Sequence, residues 1–507
     1  YKRQIRYIMK KNLFIGVSLT VGIPTTTMAQ QKQPEHPNLI FIITDQLRND
    51  VFGCRGDEIA KTPNINRFKA ESVDFTNAVA VTPVSAAARA SLFTGKYSSS
   101  TGMVINELRL NPNQRAMGHV FTENGYNTSY IGKWHLYGTC SDHENDDCAF
   151  IPKGPDRLGF DDEWKAYNFH HTNMNSYYYE DRKEKIYYGE GSYEPEEQFR
   201  LAIRSLERLQ KENKPFALFL SVGVPHDPWT KANVPEKYYN RYKDVPFTLP
   251  SNWNDIPDKY MDRNTNPQRW VNYWKKNIPE MKRVYYSMVS SIDDYLGDLM
   301  LKVTELGLDE NTIIVFFSDH GEMFGENGRI FKMIFYDSAA KVPFMVRWNG
   351  KIKPGREVDT CLNTPDIMPT LLGMMNLPVP DSVEGMNLSP LVLGEKCKEP
   401  EFAFMQGMGH TFQWKDGYEW RAVRDKRYTY ATYLVDNSEL LFDNIKDPKQ
   451  TVNLVNDPKL FKVLEEKRRQ MKNKMRELND EFKPCSWYRG RWVDEDRCIQ
   501  ASAKGKF

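Results

Sequence analysis

The sequence predicts an α/β protein. It has a large mixed, mostly parallel sheet sandwiched by helices, then a smaller C-terminal antiparallel sheet with one helix. Three observations predict it. Apolar runs of strand length recur far apart, at Asn38–Thr44, Phe216–Val222 and Thr312–Phe317. Each is continuous, as in strands buried on both faces. Amphipathic helical stretches lie between them. Phe199, Ala202, Ile203, Leu206 and Leu209 make one stripe; Val284, Met288, Ile292, Leu296, Leu299 and Val303 make another. Near residue 400 the character changes to short strands at Phe402–Met405, Trp420–Val423, Arg427–Tyr433 and Glu439–Asp443, followed by a charged helix over Leu460–Glu481.

The chain has 507 residues, more than one hydrophobic core usually holds. The expected division is a leader and signal segment at 1–29, a catalytic domain at 30–395 and a C-terminal subdomain at 396–507. Met9-Lys10-Lys11, the apolar run Leu13–Ile23 and the small residues around Thr27-Met28-Ala29 have the form of a secretory signal. The run is too short to span a bilayer. The expectation is an exported protein, periplasmic or secreted, with no membrane span. Lys and Arg number 69 against 67 Asp and Glu, a net charge of +2. That balance excludes a general nucleic-acid binder, which carries a basic excess. The seven cysteines allow bridges at Cys140–Cys148 and Cys485–Cys498, with free buried thiols as the equal alternative.

Chemistry-bearing residues stand at the ends of the predicted elements. Asn38–Thr44 runs into Asp45-Gln46, at the carboxyl end of a central strand, where open α/β sheets place their sites. A strand-like run, Val73–Val81, leads to Ser85, followed by the helix formers Ala86, Ala87, Ala88, Ala90 and Leu92. Ser85 is either a plain N-cap or an oxygen nucleophile at a positive helix end, with Arg89 one turn on. Gly118–Asn124 reads as a helix and Thr128–Ile131 as a strand. Lys133 and His135 then alternate on an extended segment and face one side. Residues 141–194 lack periodicity and read as a long excursion over the site, with Asn168-Phe169-His170-His171 and Tyr177–Tyr179 as candidate sugar contacts. Phe216–Val222 delivers His226 between two prolines, and Thr312–Phe317 delivers Asp319-His320. Lys332 follows. Val342–Arg347 reads as a strand, Pro365–Met375 as a helix and Gly385–Gly394 as a linker.

Ser85-Ala86-Ala87-Ala88-Arg89 with Leu92-Phe93-Thr94-Gly95 resembles the signature of type I sulfatases, of the alkaline phosphatase superfamily. Gly132-Lys133-Trp134-His135-Leu136, Pro225-His226 and Ser318-Asp319-His320-Gly321-Glu322 resemble further motifs of that family, in its order. The resemblance covers nearly the whole mature chain. It implies that Ser85 is oxidised to formylglycine by a maturation enzyme and that the hydrated aldehyde attacks sulfur. It implies one divalent metal held by Asp45, Gln46, Ser85, Asp319 and His320: Ca2+ first, Mn2+ or Mg2+ otherwise. Arg89, Lys133 and Lys332 would balance the sulfate charge, His226 would protonate the leaving oxygen, and His135 would take a proton as sulfate is expelled. Gln46 departs from the family's Asp, Asn327 from its usual His, and Ala87 from its commoner Pro. Serine-type motifs and the segment Gly154–Asp161 resemble bacterial carbohydrate sulfatases. That implies a sulfated carbohydrate substrate, with galactose or N-acetylgalactosamine 4-O-sulfate leading. A phosphodiesterase or phosphonate monoesterase of the same superfamily, or a non-catalytic glycan binder if Ser85 stays a serine, are the alternatives.

Overall fold

The central strand is Asn38–Thr44 (β1), buried along its whole length. Its alternate residues serve two cores. Leu39, Phe41 and Ile43 join one; Ile40 and Ile42 join the other. A strand apolar at every position needs cover on both faces, and helices supply it. The structure is a computed structural model and describes residues 36–138, 149–261, 266–410, 414–492 and 498–499. The leader segment and the Cys140–Cys148 pair lie outside the described residues.

The main sheet has eight strands. In chain order the others are Val73–Phe75 (β2), Asn127–Lys133 (β3), Glu163–Tyr167 (β4), Phe216–Val222 (β5), Thr312–Ser318 (β6), Phe344–Arg347 (β7) and Arg356–Val358 (β8). Their order across the sheet is β8-β2-β7-β6-β1-β5-β3-β4. β1 lies parallel to β5 and β6, β3 to β5 and β4, and β8 to β2. β7 runs antiparallel to both its neighbours. The sheet is mixed and mostly parallel, as the sequence predicts.

Ser85–Thr94 (α2) and Thr364–Met374 (α5) cover the first face through Ala86, Ala90, Phe93, Ile367 and Leu371. Pro63–Ala70 (α1), Glu194–Leu209 (α3) and Pro267–Glu305 (α4) cover the second through Phe68, Phe199, Leu206, Val284, Met288 and Leu296. Among the described residues no helix is long and apolar enough to cross a membrane.

The smaller sheet has four strands, Ala403–Gly407 (β9), Trp420–Arg424 (β10), Tyr428–Tyr433 (β11) and Glu439–Asp443 (β12), antiparallel in sequence order. Phe461–Glu477 (α6) packs Leu464 and Met471 on it. This sheet is tied to the segments that precede Ser85 and follow Lys332. Gln406 N donates to Val81 O at 2.7 Å, and Trp420 Nε1 donates to Met333 O at 2.9 Å.

Several local expectations are corrected. The excursion at 141–194 contains β4, whose parallel pairing with β3 makes it the edge of the main sheet. Only Val73–Phe75 of the run to Val81 is strand, because Val79 instead bridges singly to Lys341 and Asn363. α4 starts at Pro267, not Met281. Asn266 caps it by accepting from Gln268 N, and its first turns are mostly exposed, so no apolar stripe announces them. The Gly385–Gly394 linker holds a short helix, Ser389–Leu393, with Leu391 and Val392 buried. Cys485 is a free buried thiol packed against Gly409, so the bridge to Cys498 is not formed.

Candidate active site

The carboxyl ends of β1, β3, β5 and β6 lie side by side in the sheet. Each strand ends, and the next residues turn polar. Asp45 and Gln46 follow β1, Lys133 closes β3, His226 follows β5 and Asp319-His320 follow β6. The tertiary structure thus brings together residues that are hundreds of positions apart in sequence.

Ser85 is the first residue of α2, not its N-cap. Val84 is the extended cap residue and offers no side-chain bond. Asn106 does that work, its Oδ1 accepting from Ala86 N at 3.1 Å. The Ser85 hydroxyl is therefore free to face the site. It lies 2.9 Å from His320 Nε2 and 3.4 Å from Asp45 Oδ1, fully buried. His320 Nδ1 donates to Gly321 O at 3.0 Å. That leaves Nε2 as the acceptor, oriented as a metal-binding imidazole is. Burial, opposed by Asp319, brings the His320 pKa down to about 4, so the ring is neutral.

One ligand atom from each of Asp45, Asp319 and His320 lies within 4.8 Å of the others. Lys133 Nζ donates to Asp45 Oδ2 at 2.5 Å. Arg89 Nε donates to Asp319 Oδ2 at 3.1 Å, and its Nη1 to Ser221 Oγ and Lys133 O. Burial alone would push the Asp45 carboxyl up. The Lys133 and Arg89 cations outweigh it and hold Asp45 well below the usual carboxylate range. Burial pulls the Lys133 ammonium down, with Asp45 opposing. A cluster this buried, with mixed charge, suits a divalent cation and an anion together.

Gln46 sits in left-handed backbone, at φ 65°. Its Oε1 accepts from Lys332 Nζ at 2.5 Å and its Nε2 donates to Glu322 Oε2 at 2.6 Å. Glu322 also accepts from Phe324 N and Phe331 N, while burial raises its pKa to about 7. Lys332 Nζ lies 2.7 Å from His226 Nε2, and His226 Nδ1 lies 2.8 Å from Asp227 O. An ammonium can only donate, so His226 Nε2 accepts and Nδ1 carries the proton. Burial, then the Lys332 charge, drives the His226 pKa well below the ordinary value.

His135 is buried but not on an extended segment; its φ is 58°, and this kink turns it beside Lys133. Its Nδ1 has no hydrogen-bond partner among the described residues. Burial, then Lys133, holds its pKa well down, which leaves a neutral base. Phe169 stacks on the His135 ring at 4.6 Å and lies 5.0 Å from Lys133 Nζ. The expected catalytic and metal residues thus fall in one cluster. Of the candidate sugar contacts, Phe169 and His171 lie against it, whereas His170 turns to Tyr167 and Glu194, and Tyr177 and Tyr179 pack in a separate small core. Asn106, Ser221 and Glu322 join the catalytic cluster unannounced. Glu322 stood in a recognised motif, but nothing local marked it as the anchor of Gln46. Asn327 lies away from the cluster, donating to Lys449 O.

The family model described as Sulfatase matches residues 37–377, and that described as N-sulphoglucosamine sulphohydrolase, C-terminal, matches 325–481. An ulvan-active sulfatase of Formosa agariphila is 38% identical over 469 residues, covering 91% of this chain and 85% of the relative. An endo-4-O-sulfatase of Bacteroides thetaiotaomicron is 31% identical over 507 residues, covering 90% and 94%. The crystal structure of a Bacteroides fragilis protein assigned as the sulfatase yidJ has a TM-score of 0.78 at 30% identity, covering 91% of this chain and 99% of that one. Matched over residues 37–377 by the family model and over nine-tenths of its length by these relatives, the chain belongs to the sulfatase family and is a sulfuric ester hydrolase.

Proposed function

We propose that the protein releases sulfate from a sulfated glycan, using a formylglycine made from Ser85 and one divalent metal. The observation that carries this reading is the place of Ser85 Oγ, within hydrogen-bond reach of His320 in a group of metal-type ligand atoms. Asp45, Asp319 and His320 fit a metal by their donor chemistry. Gln46 would add its carbonyl oxygen, which keeps a lone pair beside the one Lys332 uses. Ca2+ suits the oxygen donors, while the imidazole leaves room for Mn2+ or Mg2+. When present, the metal and the formylglycine hydrate supply a polarised sulfate and an oxygen nucleophile with a second hydroxyl.

The remaining work falls to the chain's own residues. Arg89, fixed by Asp319 and Ser221, holds the nucleophile end of the site electropositive. Lys133 and Lys332 bracket the place where an anionic ester would lie. The Lys332–His226 pair carries the proton a sugar alcohol needs on leaving. A bound sulfate would favour the protonated imidazole that burial and Lys332 disfavour in its absence. His135, neutral and unpartnered at Nδ1, is the base that accepts a proton when sulfate departs.

The glycan assignment draws on the relatives' names, one for ulvan and one for 4-O-sulfate, and on the aromatic loop beside His135 and His226. Galactose or N-acetylgalactosamine 4-O-sulfate is the proposed substrate. Export and a separate maturation enzyme belong to the same reading. The decisive experiment is the mass of the tryptic peptide ending at Arg89, alongside sulfate release from a panel of 2-, 3-, 4- and 6-O-sulfated sugars. Loss of two hydrogens at Ser85 and turnover at one position are expected. An unmodified serine in protein made with its maturation partner, or faster turnover of an aryl phosphate diester, overturns the proposal.

A further inference from the structure

The loop that leaves β4 alternates its side chains between two faces. Asn168 anchors it, accepting from His135 N through its carbonyl at 2.9 Å and from Tyr137 N through Oδ1 at 3.1 Å. Phe169 faces the site and stacks on His135. His170 faces away. Its ring stacks on Tyr167 at 3.7 Å, and its Nε2 lies 3.3 Å from Glu194 Oε2. His171 returns to the site. It stacks on His226 with centroids 4.7 Å apart and planes 17° apart, and it meets Phe169 in a T-shaped contact at 4.5 Å. Asn233 Nδ2 donates to the His171 carbonyl at 3.3 Å, so the backbone is held from the far side of the cleft as well.

His171 differs from the other histidines of this cluster. His170, His226 and His320 each have a ring nitrogen within hydrogen-bond distance of a partner, and His135 is buried. His171 is part-exposed, and among the described residues its ring nitrogens have no hydrogen-bond partner. A ring stacked on the proposed proton donor and held by a second aromatic contact, with unpaired donor and acceptor atoms, has the form of a ligand contact.

We infer that His171 is a substrate-positioning residue that hydrogen-bonds a hydroxyl of the sugar carrying the scissile sulfate. This rests on the glycan reading above. The position follows from the stack: whatever oxygen receives the proton from His226 is attached to a ring whose neighbouring substituent meets His171. The chemistry follows from the charges. Burial, then Lys133 and Lys332, brings the His171 pKa down to about 3. The ring therefore stays neutral and suits a hydroxyl, whereas a uronate carboxylate or a second sulfate would call for a cation.

The test uses the matured enzyme and the best sulfated monosaccharide of the panel, with nitrophenyl sulfate as the substrate lacking sugar hydroxyls. His171→Phe keeps a ring against His226 but removes the hydrogen bond. It should lower kcat/KM on the saccharide by about tenfold or more, chiefly through KM, and change nitrophenyl sulfate by less than about threefold. His171→Gln, which can restore one hydrogen bond, should recover part of the loss. If the Phe variant does not fold, His171→Ala carries the same comparison. Equal losses on both substrates would mean that the ring serves only to hold His226, and wild-type saccharide kinetics would mean that it touches nothing; either overturns the inference alone. Wild-type protein that turns over nitrophenyl sulfate but no sulfated sugar sinks the glycan reading, and this inference with it.

Discussion

Asp45 is the residue on which the charges of the site converge. Its carboxylate meets Lys133 at 2.5 Å and Arg89 at 3.5 Å on one oxygen, and Ser85 on the other. Asp319 has the matching place for Arg89. Replacing Asp319 by Ala removes a metal-type ligand and the shorter of the two carboxylate contacts of a fully buried guanidinium, leaving Asp45 at 3.5 Å. A buried charge that loses its partner costs about 3–5 kcal/mol. Asp319→Ala should therefore lose bound metal, measured by elemental analysis, and turnover by at least about a thousandfold, with a clearly lower melting temperature. Full activity after complete chelation would contradict the metal assignment. His226→Ala makes a different prediction. A sugar alcohol needs a proton to leave and nitrophenolate barely does, so the loss should be about a hundredfold or more on a sulfated saccharide and much smaller on nitrophenyl sulfate. Equal losses would give His226 a sulfate-binding role only.

At the scale of elements, β3 and α3 set the geometry behind Lys133. Gly132 precedes Lys133 at φ 100°, and a Cβ there would lie 2.0 Å from Ser221 O on β5. Both the conformation and the close approach require glycine. Gly132→Ala should push β3 from β5, cost several kcal/mol in thermal stability, and impair activity by displacing Lys133. A variant with wild-type melting temperature and rate would refute the argument. Glu194, the first residue of α3, is fully buried. It accepts from Tyr167 OH at 2.7 Å and Ser176 Oγ at 2.5 Å, and burial lifts its pKa to about 8. An acid raised in the folded state binds its proton there while the unfolded chain has already released it. Its contribution to stability is full below the ordinary carboxylate pKa and is lost as pH rises toward 8, by about 1.4 kcal/mol per pH unit. Glu194→Gln removes that dependence. The stability of the wild type relative to this variant should fall steadily from pH 5 to pH 8 in paired unfolding titrations. A constant difference would show that Glu194 is ionised in the fold.

At the scale of the whole molecule, the small sheet steadies the loops on either side of Ser85. Arg421 on β10 is fully buried and pairs with Asp480 through Nε and Nη2, at 2.5 and 2.7 Å. Asp480 also accepts from Gln406 Nε2 at 2.6 Å. Gln406 in turn meets Val81 and Ser99, either side of Ser85. Asp480→Ala should cost about 3–5 kcal/mol and lower kcat with metal content unchanged, since none of the metal-type ligands touches this pair. A variant that loses metal and activity together would place the effect elsewhere.

The sequence by itself determined the strands, because runs such as Asn38–Thr44 are apolar at every position and can only be buried on both faces. It determined the residues at their carboxyl ends, Asp45, His226 and Asp319-His320, because polar residues that close such runs fall at one edge of a parallel sheet. Ser85, Arg89, Lys133, His135 and Lys332 were legible through motif spacing. The tertiary structure decided how these residues are paired. Lys332 and Gln46 are 286 positions apart, and Gln46 and Glu322 are 276 apart. No local pattern encodes which amide meets which ammonium. It decided that Ser85 is a helical residue facing His320, since Asn106, from another loop, supplies the capping oxygen. It placed Glu163–Tyr167 on the sheet edge, which brings Phe169 and His171 over His135 and His226. Periodicity records the environment a residue needs, apolar or wet, one face or two. Partnership between buried polar groups depends on where distant strands end, and only the folded chain fixes that.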